Sequence, residues 1–431
     1  MSQRTFVASF AFLFFGWISS YIPSSTIVNA ADGLEIRPSE RIVLVGGTFV
    51  ERLQSYGQFE TGLVSGRREM GVTLRNLGWS GDTVWGDARA VFGGPQDGFK
   101  RLVKDVEQAQ PTLLLIQYGG NEANAGAAGL GEFVAQYRKL LDALATTKAR
   151  IVLLSPIRRE RAAATHPDPA TYNAVLKQYC EAIARVANER QLVYIDLQDL
   201  FDNSPLVNGQ SGRAPMPLTD NGLHPTEAGF AIVSERLLSK LGIPSGRWSV
   251  VVEGEDAKAS GLRVADFTRG RDSVRFQATA SQLPPTNRSM NGLPYGPGTE
   301  SQSLQPIQHV EPSCRLRVLR LDAGSYELLV DGLRVALADA SLWGDPGVGF
   351  DVPGDQEQAE KVRQLIYDKN VLYFHRYRPQ NETYLFLFRK HEQGNNAVEI
   401  PQFDPLVAEK EAEIAKLLTP NAHRFELRKA P

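Results

Sequence analysis

Cysteine is almost absent: Cys180 and Cys314 are the only two in 431 residues. Two thiols permit one disulfide in an oxidising compartment but exclude a disulfide framework and a paired CxxC metal site. Cys180 falls inside a helical pattern and reads as a buried small apolar residue. An excess of either charge is missing too, since 47 Lys and Arg face 49 Asp and Glu for a formal net charge of -2. That balance leaves no basic footprint for nucleic acid and no global attraction to anionic membranes. HExxH and clustered His/Asp spacings are lacking, so no metal is expected. The glycine-rich stretch 119–131 lacks the Lys-Ser/Thr ending of a phosphate loop, and no cofactor is expected either.

What is present is ordinary globular composition, with 42% hydrophobic and 22% charged residues, which excludes wholesale disorder and a polytopic membrane protein. The length calls for two domains. Arg4 precedes an apolar run from Phe6 to Trp17, and Val28-Asn29-Ala30 supplies small residues before Ala31. This reads as a signal peptide over residues 1–30 and predicts a secreted or periplasmic protein with no stable membrane insertion after cleavage.

Between residues 41 and 196 five short runs rich in Val, Leu and Ile recur, at 41–45, 72–77, 112–117, 150–155 and 192–196. Continuous apolar runs suit strands buried on both faces, and the segments between several of them carry helical stripes. Phe133, Tyr137, Leu140 and Leu144 form one stripe; Tyr172, Val175, Tyr179, Ile183 and Val186 a second; Phe230, Val233, Leu237 and Leu241 a third. The pattern predicts an α/β domain with a parallel sheet over residues 40–243.

Past Pro244 the texture becomes β-rich over residues 247–350, with a Pro-, Gly-, Asn- and Ser-rich stretch at 283–306 expected to be a long loop. A helical and aromatic-basic tail follows over 355–431. Within it a helix is expected from Gln356 to about Asn370 and another over 407–418. Tyr384, Phe386 and Phe388 read as one face of a strand or packed loop, and the tail is expected to fold back over the first domain with His375 or Arg376 near its crevice. Asn287-Arg288-Ser289 and Asn381-Glu382-Thr383 match the glycosylation sequon.

Hydrolysing an ester through a covalent intermediate needs a nucleophilic hydroxyl, a base and donors for the oxyanion. Gly46-Gly47-Thr48 follows the first strand, Gly78 in NLGWSGDT the second, and Gly119-Gly120-Asn121-Glu122 the third. In an open α/β sheet the crevice lies beyond the carboxyl ends of the strands, where these turns converge. Asn221-Gly222-Leu223-His224-Pro225 adds a histidine just before a helix. Asp82 and Glu122 read as structural hydrogen-bonding groups.

These blocks resemble the SGNH/GDSL hydrolases, a superfamily of lysophospholipase-like enzymes, carbohydrate acetylesterases and acyl-hydrolases. The resemblance covers about residues 40–243 and implies a flavodoxin-like three-layer domain acting on a small-molecule or glycan ester. It places Thr48 at the nucleophile, His224 at the general base, and Thr48 N–H, Gly78 N–H and the Asn121 side chain in the oxyanion hole. Two positions depart from the family. Thr48 stands where it has serine, and the extra methyl stiffens χ1 and crowds the attack trajectory. Asn221 stands where it has aspartate, the group that fixes the histidine tautomer, with Asp220 one residue earlier as the substitute. The residues fit an exported hydrolase of small acyl esters such as acetyl groups on carbohydrates, or an inactive scaffold that binds an ester or carbohydrate.

Overall fold

The structure, a computed structural model, describes residues 34–161, 167–202, 218–286, 312–392 and 396–431. The signal-peptide reading, the sequon at Asn287 and most of the loop expected at 283–306 lie outside the described residues.

Strands β1 (Arg41–Gly46), β2 (Thr73–Asn76), β3 (Leu113–Gln117), β4 (Arg150–Leu154) and β5 (Val193–Ile195) form one sheet, ordered β2-β1-β3-β4-β5 and parallel throughout. Alternation along each strand divides its side chains between two helical layers. Ile42 and Leu44 join a core with α1 (Thr48–Leu53), α2 (Gln58–Gly66) and, later in the chain, a helix that begins after His224. Val43 and Val45 join a core with α3 (Pro95–Ala109), α4 (Leu130–Leu144) and α5 (Ala170–Glu189). That later helix is α6 (Glu227–Lys240), and Thr226 caps its first turn by accepting from Gly229 N–H at 3.1 Å. The order reverses direction between β1 and β3, so the crevice expected in a doubly wound sheet opens at the ends of those two strands.

The β-rich part is a sandwich. One sheet, ordered β13-β10-β6-β7, contains β6 (Trp248–Glu253), β7 (Asp256–Ser260), β10 (Cys314–Val318) and β13 (Val348–Phe350). The other, β12-β11-β14-β9-β8, contains β8 (Leu262–Arg269), β9 (Ser273–Ala280), β11 (Ser325–Val330), β12 (Leu333–Asp339) and β14 (Ala422–Lys429). Trp248 and Phe350 from the first sheet meet Phe276 and Phe425 from the second, and Trp343 of α7 (Ala340–Gly344) is fully buried beside them. Both cysteines are buried free thiols.

The tail is no separate layer. Its helix α8 (Pro353–Tyr377) runs past the edge strand β2. There Ala359, Val362 and Ile366 enter one core of the α/β domain, and Tyr373 and Tyr377 enter the other. The fully buried Lys369 donates to Leu74 O at 3.1 Å and pairs with the buried Glu60 of α2, which Asn370 Nδ2 also reaches at 3.0 Å. After α9 (Glu382–Leu385) and α10 (Phe403–Leu417), β14 inserts between β9 and β11 of the sandwich. No strand forms at 384–388: Asn381, at φ 61°, starts the short α9, and Phe386 and Phe388 are exposed in the turns beyond it. Among the described residues no helix is long and apolar enough to cross a membrane.

Candidate active site

Thr48 is the first residue of α1, which leaves β1 with only Gly47 between them. A Cβ on Gly46 would lie 2.4 Å from Gln117 O and 2.5 Å from Val50 Cγ2, so only glycine lets the helix turn off the strand so abruptly. Thr48 is half-buried. Its Oγ1 accepts from the N–H of Gly81 at 3.1 Å. Gly81 has φ +81°, a conformation that favours glycine, and open space where a Cβ would project.

Gly78, expected in the oxyanion hole, is elsewhere. Its N–H donates to Asn76 Oδ1 at 2.8 Å and its carbonyl accepts from Tyr377 Oη at 2.8 Å. A Cβ there would sit 2.2 Å from Glu51 N, so Gly78 serves the close passage of the chain under α1. The glycine that reaches Thr48 is the next one in the same block. Its signal in the sequence was the Ser80-Gly81 pair, a turn dipeptide after a strand.

Asn121 follows β3 and donates one Nδ2 proton to Asp82 O at 3.0 Å, which holds the amide at the mouth of the crevice. Asp82 and Glu122 do support this region. Asp82 Oδ2 accepts from Arg89 at 2.7 Å and from Tyr118 Oη at 2.8 Å, all three buried. Glu122 accepts from Val84 N–H at 2.9 Å and Gly119 N–H at 2.8 Å, and burial pushes its carboxyl up to about 7 despite those bonds.

His224 lines the same small cavity, of about 100 Å³, as Thr48, Asn121 and Glu122, with Arg158 and Tyr172 across from them. Burial, and then the charge of Arg52, lower its pKa to about 4, so the ring is neutral at pH 7. The expected carboxylate partner is not there. Asn221 Oδ1 accepts from the backbone N–H of Leu223 at 3.0 Å and of His224 at 3.2 Å, closing the turn and not addressing the ring. Asp220 faces Arg52 at 3.7 Å. Arg52 was not foreseen, because its place depends on α1, four residues on from Thr48 and therefore on the same helical face.

The tail does reach the crevice side of the domain, but through other residues than those expected. Arg376 pairs with Asp404 at 3.0 Å and His375 packs near Phe403. Arg378 is the one that crosses, pairing with Glu51 at 2.9 Å and lying 4.0 Å over the Trp79 ring.

Residues 47–232 match the GDSL-like Lipase/Acylhydrolase family. No curated protein matches the chain. Among solved structures, a gut microbial diltiazem-metabolizing enzyme is similar at 14% identity and TM-score 0.65, over 94% of this chain and 100% of that one. This likeness extends the shared fold over both domains and the tail. A GDSL-like lipase from Parabacteroides merdae is similar at 16% identity and TM-score 0.39, over 49% of this chain and 99% of that one. An acetylxylan esterase from Geobacillus stearothermophilus is similar at 20% identity and TM-score 0.37, over 48% and 97%.

Proposed function

Since the α/β domain belongs to the SGNH/GDSL hydrolase superfamily, we propose that Thr48 and His224 hydrolyse a small acyl ester, an acetyl group on a carbohydrate in the first place. The observation that carries this reading is convergence. A hydroxyl, a neutral imidazole and N–H donors from Gly81 and Asn121 meet at the ends of β1, β2 and β3 and the turn before α6.

In this mechanism His224 takes the Thr48 proton as Oγ1 attacks the carbonyl carbon, and the carbonyl π pair moves onto its oxygen. The Gly81 N–H, released from Thr48 Oγ1, the Asn121 amide and the Thr48 backbone N–H, an orphan donor at the start of α1, face that oxyanion. Collapse expels the alcohol with the proton from the imidazolium. Water then repeats the sequence on the acyl-threonine, releasing the acid and the free hydroxyl. The segment before residue 31 supports export of the mature chain.

One observation favours a second reading, binding without turnover: neither Asp220 nor Asn221 directs a side-chain oxygen at the His224 ring. The test is turnover of short acyl p-nitrophenyl esters by the full mature chain beside Thr48→Ala and His224→Ala. Slow wild-type turnover that both variants lose is expected. Three traces equal to the buffer blank would reject catalysis, and calorimetric binding of an acetylated glycan by that inert chain would establish the second reading.

A further inference from the structure

The small cavity over Thr48 holds about 100 Å³, the liquid volume of about three waters. That admits an acetyl-sized acyl group, so the remainder of an ester must lie elsewhere. A cavity of about 730 Å³, lined from the next turn of α1, offers the space, within the roughly 300–1,000 Å³ of small-molecule sites. Its inner wall is α1 with Trp79, and its outer wall is the end of α8 and the chain to Thr383. Thr48, Arg52 and Ser55 stand at i, i+4 and i+7 of one helical face, continuing just past the end of α1, so the face that presents the Thr48 hydroxyl carries Arg52 into the larger cavity one turn on.

The other charges of this wall are matched. Arg378 pairs with Glu51 at 2.9 Å, and Glu51 also accepts from Ser80 N–H at 2.8 Å and Ser80 Oγ at 2.7 Å. Glu382 pairs with Arg101 at 2.9 Å. Arg52 is matched less closely: its side chain is only 16% exposed, its Nε is buried without a hydrogen-bond partner, and its ion pair with Asp220 is long, at 3.7 Å. Asp220 is half exposed itself. A half-enclosed planar fork whose donors are not closed by short hydrogen bonds is matched by a carboxylate, which takes two parallel N–H bonds. A buried donor left without a hydrogen bond costs stability, and a ligand carboxylate in this cavity would supply the missing acceptor.

We propose that the larger cavity holds the alcohol part of the substrate, and that Arg52 binds a carboxylate carried by that part. The substrate class is an acylated acidic sugar. The word substrate rests on the ester-hydrolase reading above, whereas recognition of the acidic sugar does not.

Calorimetric titration of the full chain with methyl β-glucuronide and methyl β-glucoside tests it without any ester present, so absent turnover and absent recognition are read separately. The glucuronide is expected to bind at least tenfold more tightly. Arg52→Gln, checked by circular dichroism, should remove that preference, and Arg52→Lys should restore part of it because the charge returns without the fork. Equal affinities, no binding of either glycoside, or a preference that survives in Arg52→Gln would overturn the proposal. The wild-type comparison decides the matter alone where the variant fails to fold.

Discussion

The Asp220 carboxylate lies 3.7 Å from Arg52 Nη1 and forms no ion pair with the His224 ring four residues later. The base of the site is therefore held neutral by burial and by a neighbouring cation, without an anion behind it. Asp220→Asn should then cost less than tenfold in turnover, against the roughly 10⁴ seen where a triad carboxylate is lost. Initial rates on a short acyl ester measure it, and a loss near 10⁴ would show that Asp220 reaches the ring during catalysis.

The same geometry fixes the protonation of His224. Its ring resonance, assigned by its absence in His224→Gln, is expected to titrate near pH 4, far below an ordinary histidine. Arg52→Gln should move that midpoint upward but not fully to the ordinary value, because burial, the larger cause, remains. An unchanged midpoint in the variant would remove Arg52 from the electrostatics of the site.

Two glycines of one block should behave differently when a methyl is added. Gly78→Ala drives a Cβ to 2.2 Å from Glu51 N, an overpacking expected to cost about 1–3 kcal/mol. Gly81→Ala meets nothing within 4 Å but must keep φ +81°, a strain of about 1–2 kcal/mol. Urea unfolding should rank Gly78→Ala as the less stable protein. Ester turnover per folded molecule should instead fall in Gly81→Ala, by up to about 10² if the displaced donor serves the oxyanion.

Lys369 and Glu60, both buried, tie the tail to α2. Removing one partner by Glu60→Gln or Lys369→Met should destabilise the chain by about 3–5 kcal/mol, since it leaves a buried charge alone. Replacing both with apolar residues should recover much of that loss. A double variant as unstable as the sum of the singles would argue against the pair as the cause.

His423 on β14 sits between Asp331 at 2.6 Å and Asp355 at 3.0 Å, joining the sandwich to the start of α8, and these carboxylates raise its pKa to about 9. A folded-state pKa above the unfolded value means that the charged form stabilises the fold. That contribution is complete below about pH 6.5 and is lost as pH rises through about 9. Thermal unfolding from pH 6 to 10 should show a decline in the wild type that His423→Gln flattens.

Much of this arrangement was legible in the sequence because its causes are local. Continuous Val, Leu and Ile runs specify strands buried on both faces, and helical stripes cover them, so the five parallel strands fall within one residue of their expected bounds. That Thr48, Asn121 and His224 line one cavity was legible for the same reason, since each follows a strand or precedes a helix that periodicity marks. The strand 422–429 was missed although His423, Phe425 and Leu427 alternate inward, because its partners are β9 and β11, more than ninety residues earlier in the chain.

By itself, then, the sequence determined the layers of the α/β domain and the turns that meet at its crevice, since hydrophobic periodicity and glycine turns act over a few residues. Tertiary structure alone decided that Gly81 and not Gly78 faces Thr48, that Asp220 turns to Arg52, and that α8 seals the edge of β2 while Arg378 crosses to Glu51. Those outcomes depend on which buried donors and charges find partners across the fold, and that competition has no signature in the spacing of residues along the chain.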